Sequence, residues 1–391
     1  MRKIIFDIEI TGHHTEYLNH LIDYIHEFED EHYYFFVVHP NFIKNCPEIS
    51  SKAIKTENIT LSPISVEEFN YSKNNSIIKK SIFNYKLLCK YVKYHHVKEV
   101  ILLYFNVFQL VFIFSRPSFS IRGILFLQFT RMERNILKEK LKYWRKYYTT
   151  KLYTLNPSIN DIFILNDNKT AVLLNKSFDT QIFKMLPDPI PNLKPLQGFN
   201  IYTHYNINQN QKIFLHIGSL GDRKGTFEVV ESSIHLPIDK QKEITILLVG
   251  KINDIEQENN LQNKIKEYQG KSFATIIWCN QFVPSSLMKS LFEQCFAVLM
   301  PYKNNEASSG ILGHAAAANK KVIATGKGLL KELINEYELG TLINNTTPDE
   351  IANKMVELVL SKNINEIKKS DFLSLRKPTI FAKTILHHKK L

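Results

Sequence analysis

The sequence predicts an α/β protein built from two parallel-sheet domains of similar size, joined by a linker and facing a central cleft. Three observations carry that prediction. At 391 residues and 45.7 kDa the chain exceeds one ordinary core and suits two domains of roughly 100–200 residues each. Short β-branched apolar runs alternate with stretches of helical period, the pattern of βαβ units around a sheet buried on both faces. Between the two alternating halves lies PDPIPNLKPLQGFNIYTHYNINQNQ (187–211), whose four prolines and polar Asn/Gln run have linker composition.

The second half is the more regular. Strands are predicted over 212–217, 244–249, 274–278, 296–300 and 321–325, with helices over 225–236, 256–268, 284–294, 309–319, 328–337 and 348–360. The last helix has a legible start, because Thr347-Pro348-Asp349-Glu350 reads as a capping box with Pro at the first helical position. In the first half, strands are expected at 2–8, 33–38, 98–104, 123–129, 151–155 and 170–174. Helices are expected there at 14–29, 76–95, 106–115, 132–148 and 157–165. The domain boundaries that follow are 1–190, a linker over 191–211, a second domain over 212–375, and a basic tail helix over 376–391 with no place in the second sheet.

Composition narrows the class. Hydrophobic residues make up 44% and charged residues 23%, globular proportions. The four cysteines (Cys46, Cys89, Cys279, Cys295) are far apart, which excludes a legible zinc site or disulfide framework and fits a reducing, cytoplasmic setting. The N-terminal stretch places Asp7 and Glu9 inside its apolar run, so it does not read as a signal peptide. The longest apolar run, 100–114, is broken by Asn106 and Gln109 and falls short of the roughly 20 residues of a membrane span.

Net charge is +12, unevenly spread. Residues 73–151 hold 17 basic residues against three acidic ones (Glu99, Glu133, Glu139), whereas 1–72 hold five basic and 12 acidic. The basic segment is also aromatic. In 133–148, Leu137, Leu141, Trp144 and Tyr148 recur at helical spacing beside Lys138, Lys142 and Arg145. Such a helix serves three purposes: packing on a core with a solvated basic face, docking on an anionic membrane surface, or binding nucleic acid.

Open parallel sheets bind ligands beyond the carboxyl ends of their strands, so the residues after each strand matter most. After 212–217 comes Gly218-Ser219-Leu220-Gly221-Asp222-Arg223-Lys224-Gly225. Two cations and the backbone amides of a helix N-terminus there suit a diphosphate. The turn is neither a Walker loop nor GxGxxG. After 244–249, Gly250 lets the chain pass close to a ligand. After 296–300, Pro301-Tyr302-Lys303-Asn304-Asn305-Glu306-Ala307-Ser308-Ser309-Gly310-Ile311-Leu312-Gly313-His314 opens a small-residue helix. Amides at 308–311 suit a second anion, and Glu306 suits sugar hydroxyls.

Taken in order, Gly218…Lys224-Gly225, Val249-Gly250, Phe282-Val283-Pro284, Pro301…Glu306-x-x-x-Gly310 and Lys321–Thr325 resemble the donor domain of family 4 glycosyltransferases, clearly over 212–360. That resemblance implies the GT-B architecture, two Rossmann-like domains that bind a nucleotide-sugar between them, and retention of anomeric configuration. It matches Lys224 to the lysine that neutralises the donor diphosphate. Where the family has an arginine five residues earlier this chain has Ser219, with Arg223 as a substitute. Glu306 matches the first glutamate of the E-x7-E pattern, and the second is His314, whose imidazole grips one ribose hydroxyl where a carboxylate grips two.

By the same resemblance, Gly12-His13-His14 stands where the family has a Gly-rich loop near the transferred sugar. His13 or His14 is the candidate there for contact with sugar or acceptor, His13 first, with capping or exposure as the other reading of the pair. Donor-side positions are Gly12, Gly218, Ser219, Gly250, Val283, Ser308, Ser309, Gly310, Ile311 and His314. The tail would return to the first domain. The resemblance implies a transferase that takes a nucleotide-diphosphate sugar and a glycan or lipid-linked acceptor, as in bacterial cell-surface polysaccharide or glycoconjugate synthesis. It needs no cofactor and no metal, because cations stabilise the leaving diphosphate. It would be cytoplasmic or peripheral on the inner membrane face, and nucleic acid is not an expected partner. The rival reading is a non-enzymatic polyanion binder using 73–151, followed by an epimerase or phosphorylase on the same fold.

Overall fold

The structure is a computed structural model that describes residues 1–28, 31–126, 128–303, 310–361 and 369–387. It divides into two units: residues Met1–Pro189 with the C-terminal segment that starts at Arg376, and Ile190–Leu375.

In the first unit seven strands, β1 (Arg2–Asp7), β2 (Tyr33–Val38), β3 (Ile59–Pro63), β4 (Glu99–Leu102), β5 (Ser120–Leu125), β6 (Ile159–Leu165) and β7 (Phe183–Leu186), form one parallel sheet in the order β3-β2-β1-β4-β5-β6-β7. The centre of the sheet is apolar on both faces, as helices cover both. Ile4 and Phe6 of β1 point into one core cluster and Ile5 into the other. The chain order reverses at β1, so the carboxyl ends of β1 and β4 form a switch point. The helix His14–Phe28 leaves β1 there.

The helix Pro378–His387 closes this unit. Phe381, Ala382, Ile385 and Leu386 are buried with Ile5, Tyr17 and Leu21. Its last carbonyls are capped from the sheet: Lys3 Nζ donates to Leu386 O at 2.7 Å, and Arg122 Nη1 donates to the Ile385 and Leu386 carbonyls at 3.3 Å. Cations at a helix C-terminus oppose its dipole. Arg122 in turn lies 3.2 Å from Glu99 and 3.4 Å from Asp161.

The second unit holds a six-stranded parallel sheet, β8 (Lys212–Ile217), β9 (Ile244–Val249), β10 (Thr275–Cys279), β11 (Ala297–Met300), β12 (Val322–Thr325) and β13 (Gly340–Ile343), in the order β10-β9-β8-β11-β12-β13. Its switch point falls between β8 and β11. The helices Thr226–His235, Ile255–Gln269 and Pro348–Leu360 lie with one core cluster, and Ser285–Gln294, Gly310–Ala317 and Gly328–Glu336 with the other.

Several expectations need correction. The strand expected at 151–155 is the end of a helix, Leu137–Tyr153, and the helix expected at 157–165 is strand β6. The strand expected at 170–174 lies inside the helix Asn168–Phe178. Asn156 separates helix from strand by donating to the Phe112 and Ser115 carbonyls, a tertiary contact that no local pattern shows. The strand expected at 123–129 is Ser120–Leu125, and the helix at 106–115 is a single 3-10 turn followed by Val111–Phe114. Strands β3, β7 and β13 have no counterpart among the expected strands.

The segment 191–211 packs as part of the second unit. Ile201 and Ile207 are buried in its core, and Ser290 and Gln294 accept hydrogen bonds from the Leu196 and Ile201 amides. At 347–350 the capping box does not form. Thr347 caps no amide, and Glu350 accepts instead from the Asn344 and Asn345 amides.

Candidate donor site

Strand β8 ends at Ile217, and the chain then turns through Gly218–Gly225 into the helix Thr226–His235. Three glycines have left-handed φ in that turn, and Gly225 shows why: at φ +69 a Cβ there would lie 2.3 Å from Pro301 O. The helix therefore begins hard against the segment that follows β11. Lys303 reinforces this contact, its Nζ lying 2.5 Å from Asp222 and 2.7 Å from Glu228.

A buried polar chain anchors the turn from beneath. The Gly221 amide donates to Thr226 Oγ1 at 3.0 Å, and Thr226 Oγ1 lies 3.0 Å from His216 Nε2. His216 Nδ1 lies 2.9 Å from the Leu299 carbonyl on β11. A carbonyl only accepts, so Nδ1 carries the proton and Nε2 accepts from the threonine. His216 is fully buried; desolvation, with Lys224 nearby, pushes it down to about 4 and keeps it neutral.

Lys224 is 8% exposed. Its Nζ makes long hydrogen bonds to Ile217 O at 3.3 Å and Tyr302 Oη at 3.4 Å, and stands 5.0 Å from the centre of the Tyr302 ring. Both partners are uncharged, and among the described residues no carboxylate pairs with it. The ammonium fits because residue 218 has no side chain; a Cβ there would lie 2.7 Å from Nζ and 4.0 Å from Ile311 Cδ1. Gly218, Lys224, Tyr302 and Ile311 are thus neighbours around one buried cation. Burial of an unpaired charge is costly, and an anion beside it offsets that cost.

Arg223 is exposed, and together with Ser219, Gly221, Asp254 and Gln257 it lines a recess of about 210 Å³. The amides behave differently from expectation. Gly221, Asp222, Lys224 and Gly225 all spend their N–H groups inside the unit, on Thr226, Gln257, Gly221 and Asp222 respectively. Those four amides are therefore not free for a ligand, and Arg223 and Lys224 are the cations of the turn. Gly250, at φ +152, makes its close approach to Gly218 rather than to open space: a Cβ would lie 1.8 Å from Gly218 O. Trp278 Nε1 donates to the Gly250 carbonyl.

Glu306, Ser308 and Ser309 lie outside the described residues. Gly310 opens the helix Gly310–Ala317, in which His314 is half-buried and stacks on Phe292 at 5.6 Å. Val283 is half-buried against the core.

In the first unit, Gly12 takes φ +65 in open space and lets the chain enter the helix His14–Phe28. His13 is half-exposed, 3.6 Å from Glu16 and stacked on Tyr17, whereas His14 makes the buried contact. Its Nδ1 lies 2.8 and 3.0 Å from the two oxygens of Asp7, which is 2% exposed at the end of β1. Burial pulls His14 down, but the Asp7 carboxylate more than offsets this and holds the imidazole above its ordinary value. Asp7 carried a signal in the sequence, an acid inside an apolar strand; His216 and Thr226 carried none. Tyr17 donates to Asp188 at 2.6 Å, and the Asp188 amide donates to Asn166, which also accepts from Arg376. Among the described residues no group of three or more His, Cys, Asp or Glu side chains could hold a metal ion.

Two doubly wound units in one chain define a two-Rossmann-domain protein, and the second holds a buried lysine, without a carboxylate partner among the described residues, at the strand end of its switch point. Residues 200–370 match the family model of glycosyl transferases group 1. Over its whole length the chain is similar to an uncharacterized glycosyltransferase of Methanocaldococcus jannaschii, at 23% identity with 98% of that protein covered. Among solved structures it is similar to Anabaena HepE in complex with UDP and glucose (TM-score 0.66, 13% identity, 99% of this chain and 98% of that one). It is likewise similar to WaaG, a glycosyltransferase involved in lipopolysaccharide biosynthesis (TM-score 0.66, 14% identity, 99% and 100%). A third is sucrose-phosphate synthase of Thermosynechococcus elongatus (TM-score 0.69, 11% identity, 98% and 96%). The chain is a glycosyltransferase of the GT-B fold, with a glycosyl transferases group 1 domain over 200–370. The reading as a non-enzymatic polyanion binder is not favoured.

Proposed function

We propose that the protein transfers a sugar from a nucleoside-diphosphate sugar to a glycan or lipid-linked acceptor, with retention of configuration and without a metal. The observation that supports this best is Lys224, buried beside Gly218 with only neutral partners. As the bond from the anomeric carbon to the diphosphate breaks, charge grows on the β-phosphate, and a cation already in place stabilises it without reorganisation. Arg223 adds a second, exposed cation at the rim. The UDP held by HepE makes a uridine diphosphate the first candidate donor. The lipopolysaccharide pathway of WaaG suits a place in cell-surface glycoconjugate synthesis. No helix among the described residues is long and apolar enough to cross a membrane, and a peripheral enzyme on the cytoplasmic face would meet a lipid-linked acceptor through its basic segment 73–151.

The test is a thermal-shift panel of UDP, GDP, ADP, dTDP and CMP on the wild type and on Lys224→Ala. A ligand at 100 times its dissociation constant stabilises the native state by about 2.7 kcal/mol. One diphosphate should raise the wild-type melting temperature and leave the variant unmoved. If none does so, the donor site is misassigned.

A further inference from the structure

The helix Leu137–Tyr153 turns two different faces outward and inward. Tyr143 and Tyr147 pack edge-on against buried Phe129, and Thr150 and Tyr153 are buried. The stripe singled out from the sequence is on the other side. Leu137 is 72% exposed, Leu141 62%, Trp144 49%, Tyr148 55% and Leu152 44%. At 1.5 Å per residue these five span about 22 Å of one helix face. Trp144 and Tyr148 stack on each other at 5.8 Å. The stripe is therefore not the core face: the helix packs on the core through Tyr143, Tyr147, Thr150 and Tyr153, and the stripe is left exposed beside the basic residues.

Its surroundings are cationic. Lys138, Lys142, Arg145 and Lys151 are exposed, and none has a carboxylate partner among the described residues. The helix contains a single acid, Glu139, and that side chain is turned to the helix start, where it accepts from the Asn135 and Ile136 amides. At the far end, the bonds from Asn156 to the Phe112 and Ser115 carbonyls bring the segment carrying exposed Phe114 (85%) and Arg116 against the helix.

We infer that this ridge, Leu137–Leu141–Trp144–Tyr148–Leu152 with its flanking lysines and arginine, is an insertion surface for the headgroup boundary of an anionic lipid bilayer. The inference rests on the peripheral part of the function proposed above and deepens it from a basic segment to one helix face. Charge complementarity selects the occupant. A second copy would bring one strongly basic surface against another. Nucleic acid would use the cations and stack on the aromatics, but gains nothing from three aligned leucines in water. A bilayer interface uses all three parts: leucines enter the acyl boundary, Trp and Tyr sit at headgroup depth, and cations meet anionic headgroups.

The test uses the full chain with vesicles of phosphatidylcholine alone or mixed with anionic phosphatidylglycerol, at low and high salt. Trp144 is read without the other tryptophan in Trp278→Phe. Binding to the anionic vesicles with a blue shift of Trp144 and quenching by brominated lipid is the expected result. The triple variant L137Q/L141Q/W144Q, in the otherwise wild-type chain and with unchanged melting temperature, should partition at least tenfold more weakly. If that variant binds as tightly as the wild type, or Trp144 stays unquenched while the protein is bound, the ridge is not the insertion surface and the peripheral reading survives. No binding to anionic vesicles at low salt overturns both. Tighter binding to a single-stranded oligonucleotide than to the vesicles overturns the inference in favour of nucleic acid. Nucleotide binding in the panel above is scored separately, so loss of the lipid surface is distinct from loss of the transferase reading.

Discussion

The Thr226 hydroxyl bridges the Gly221 amide and His216 Nε2, 3.0 Å from each, and so ties the donor turn to the strand beneath it. Thr226→Val keeps the shape and removes both bonds, leaving a buried N–H and a buried ring nitrogen unpaired. Each unsatisfied group costs about 1–3 kcal/mol. Urea unfolding should show a loss of about 2–6 kcal/mol for the two groups together, and nucleotide affinity should fall with it because Lys224 rides on the same turn. Unchanged affinity alongside the stability loss would separate the anchor from the site.

His216 gives that anchor a pH dependence. Its value in the fold is about 4, below the ordinary histidine value of about 6.5. A group depressed in this way favours the fold above its unfolded value, and the advantage is lost as pH falls from about 6.5 towards 4. The loss is at most about 3 kcal/mol at 1.36 kcal/mol per unit. Unfolding measured at pH 7 and pH 4.5 should show the decline, with a smaller slope in His216→Asn.

His14 should behave in the opposite sense. Asp7 holds it above its ordinary value, so its contribution is complete below about pH 6.5 and fades as pH rises through the higher folded value. The stability difference between wild type and His14→Gln should therefore be larger at pH 5.5 than at pH 9. A difference that grows with pH would show that the pair is not held together by the imidazolium.

Lys224→Ala should lower turnover by a factor of order 10²–10³, comparable to losing one donor to a developing oxyanion. Because the ammonium is buried against neutral partners, its removal should not destabilise the unit. Near-normal kcat with an intact melting curve would refute a role in leaving-group stabilisation.

Gly250→Ala tests the backbone packing behind the turn. A methyl group 1.8 Å from Gly218 O, at φ +152, forces the β9 end away from the β8 end. A cost of about 3 kcal/mol or more is expected, the range of a strained buried clash. Circular dichroism melting would show it. An unshifted midpoint would mean that the two strand ends part freely.

Most of the second unit was legible because its strands are mainly apolar runs, with a glycine after β8, β9 and β12 (Gly218, Gly250, Gly326), and β8 and β9 fall where the runs do. Around 151–178 the same rule misled. TTKLYTL, INDIFIL and AVLL are all short apolar stretches without a decisive period, and contacts such as Asn156 to the 112–115 carbonyls decide which of them is strand. At the site, Lys224 announced itself through the glycines around it. His216 lies inside KIFLHI as one polar letter in a strand, and its role comes from residues on β11 and on the next helix, which no linear pattern brings together. The direction of the Leu137–Leu141–Trp144 stripe was equally hidden, since periodicity shows that a helix has an apolar face but not which side the core lies on.

The helix Pro378–His387 belongs to a sheet whose first strand is Arg2–Asp7, and this orders events during synthesis. When the first 189 residues have left the ribosome, the apolar side of the helix His14–Phe28 still lacks Phe381 and Leu386, and Lys3 and Arg122 still lack the carbonyls they cap. The unit from Ile190 to Leu375 is contiguous and can finish folding in that interval. The half translated first is therefore completed last, and a ribosome that stops short of the helix Pro378–His387 releases a chain whose second unit is built and whose first stays open to chaperones and proteases.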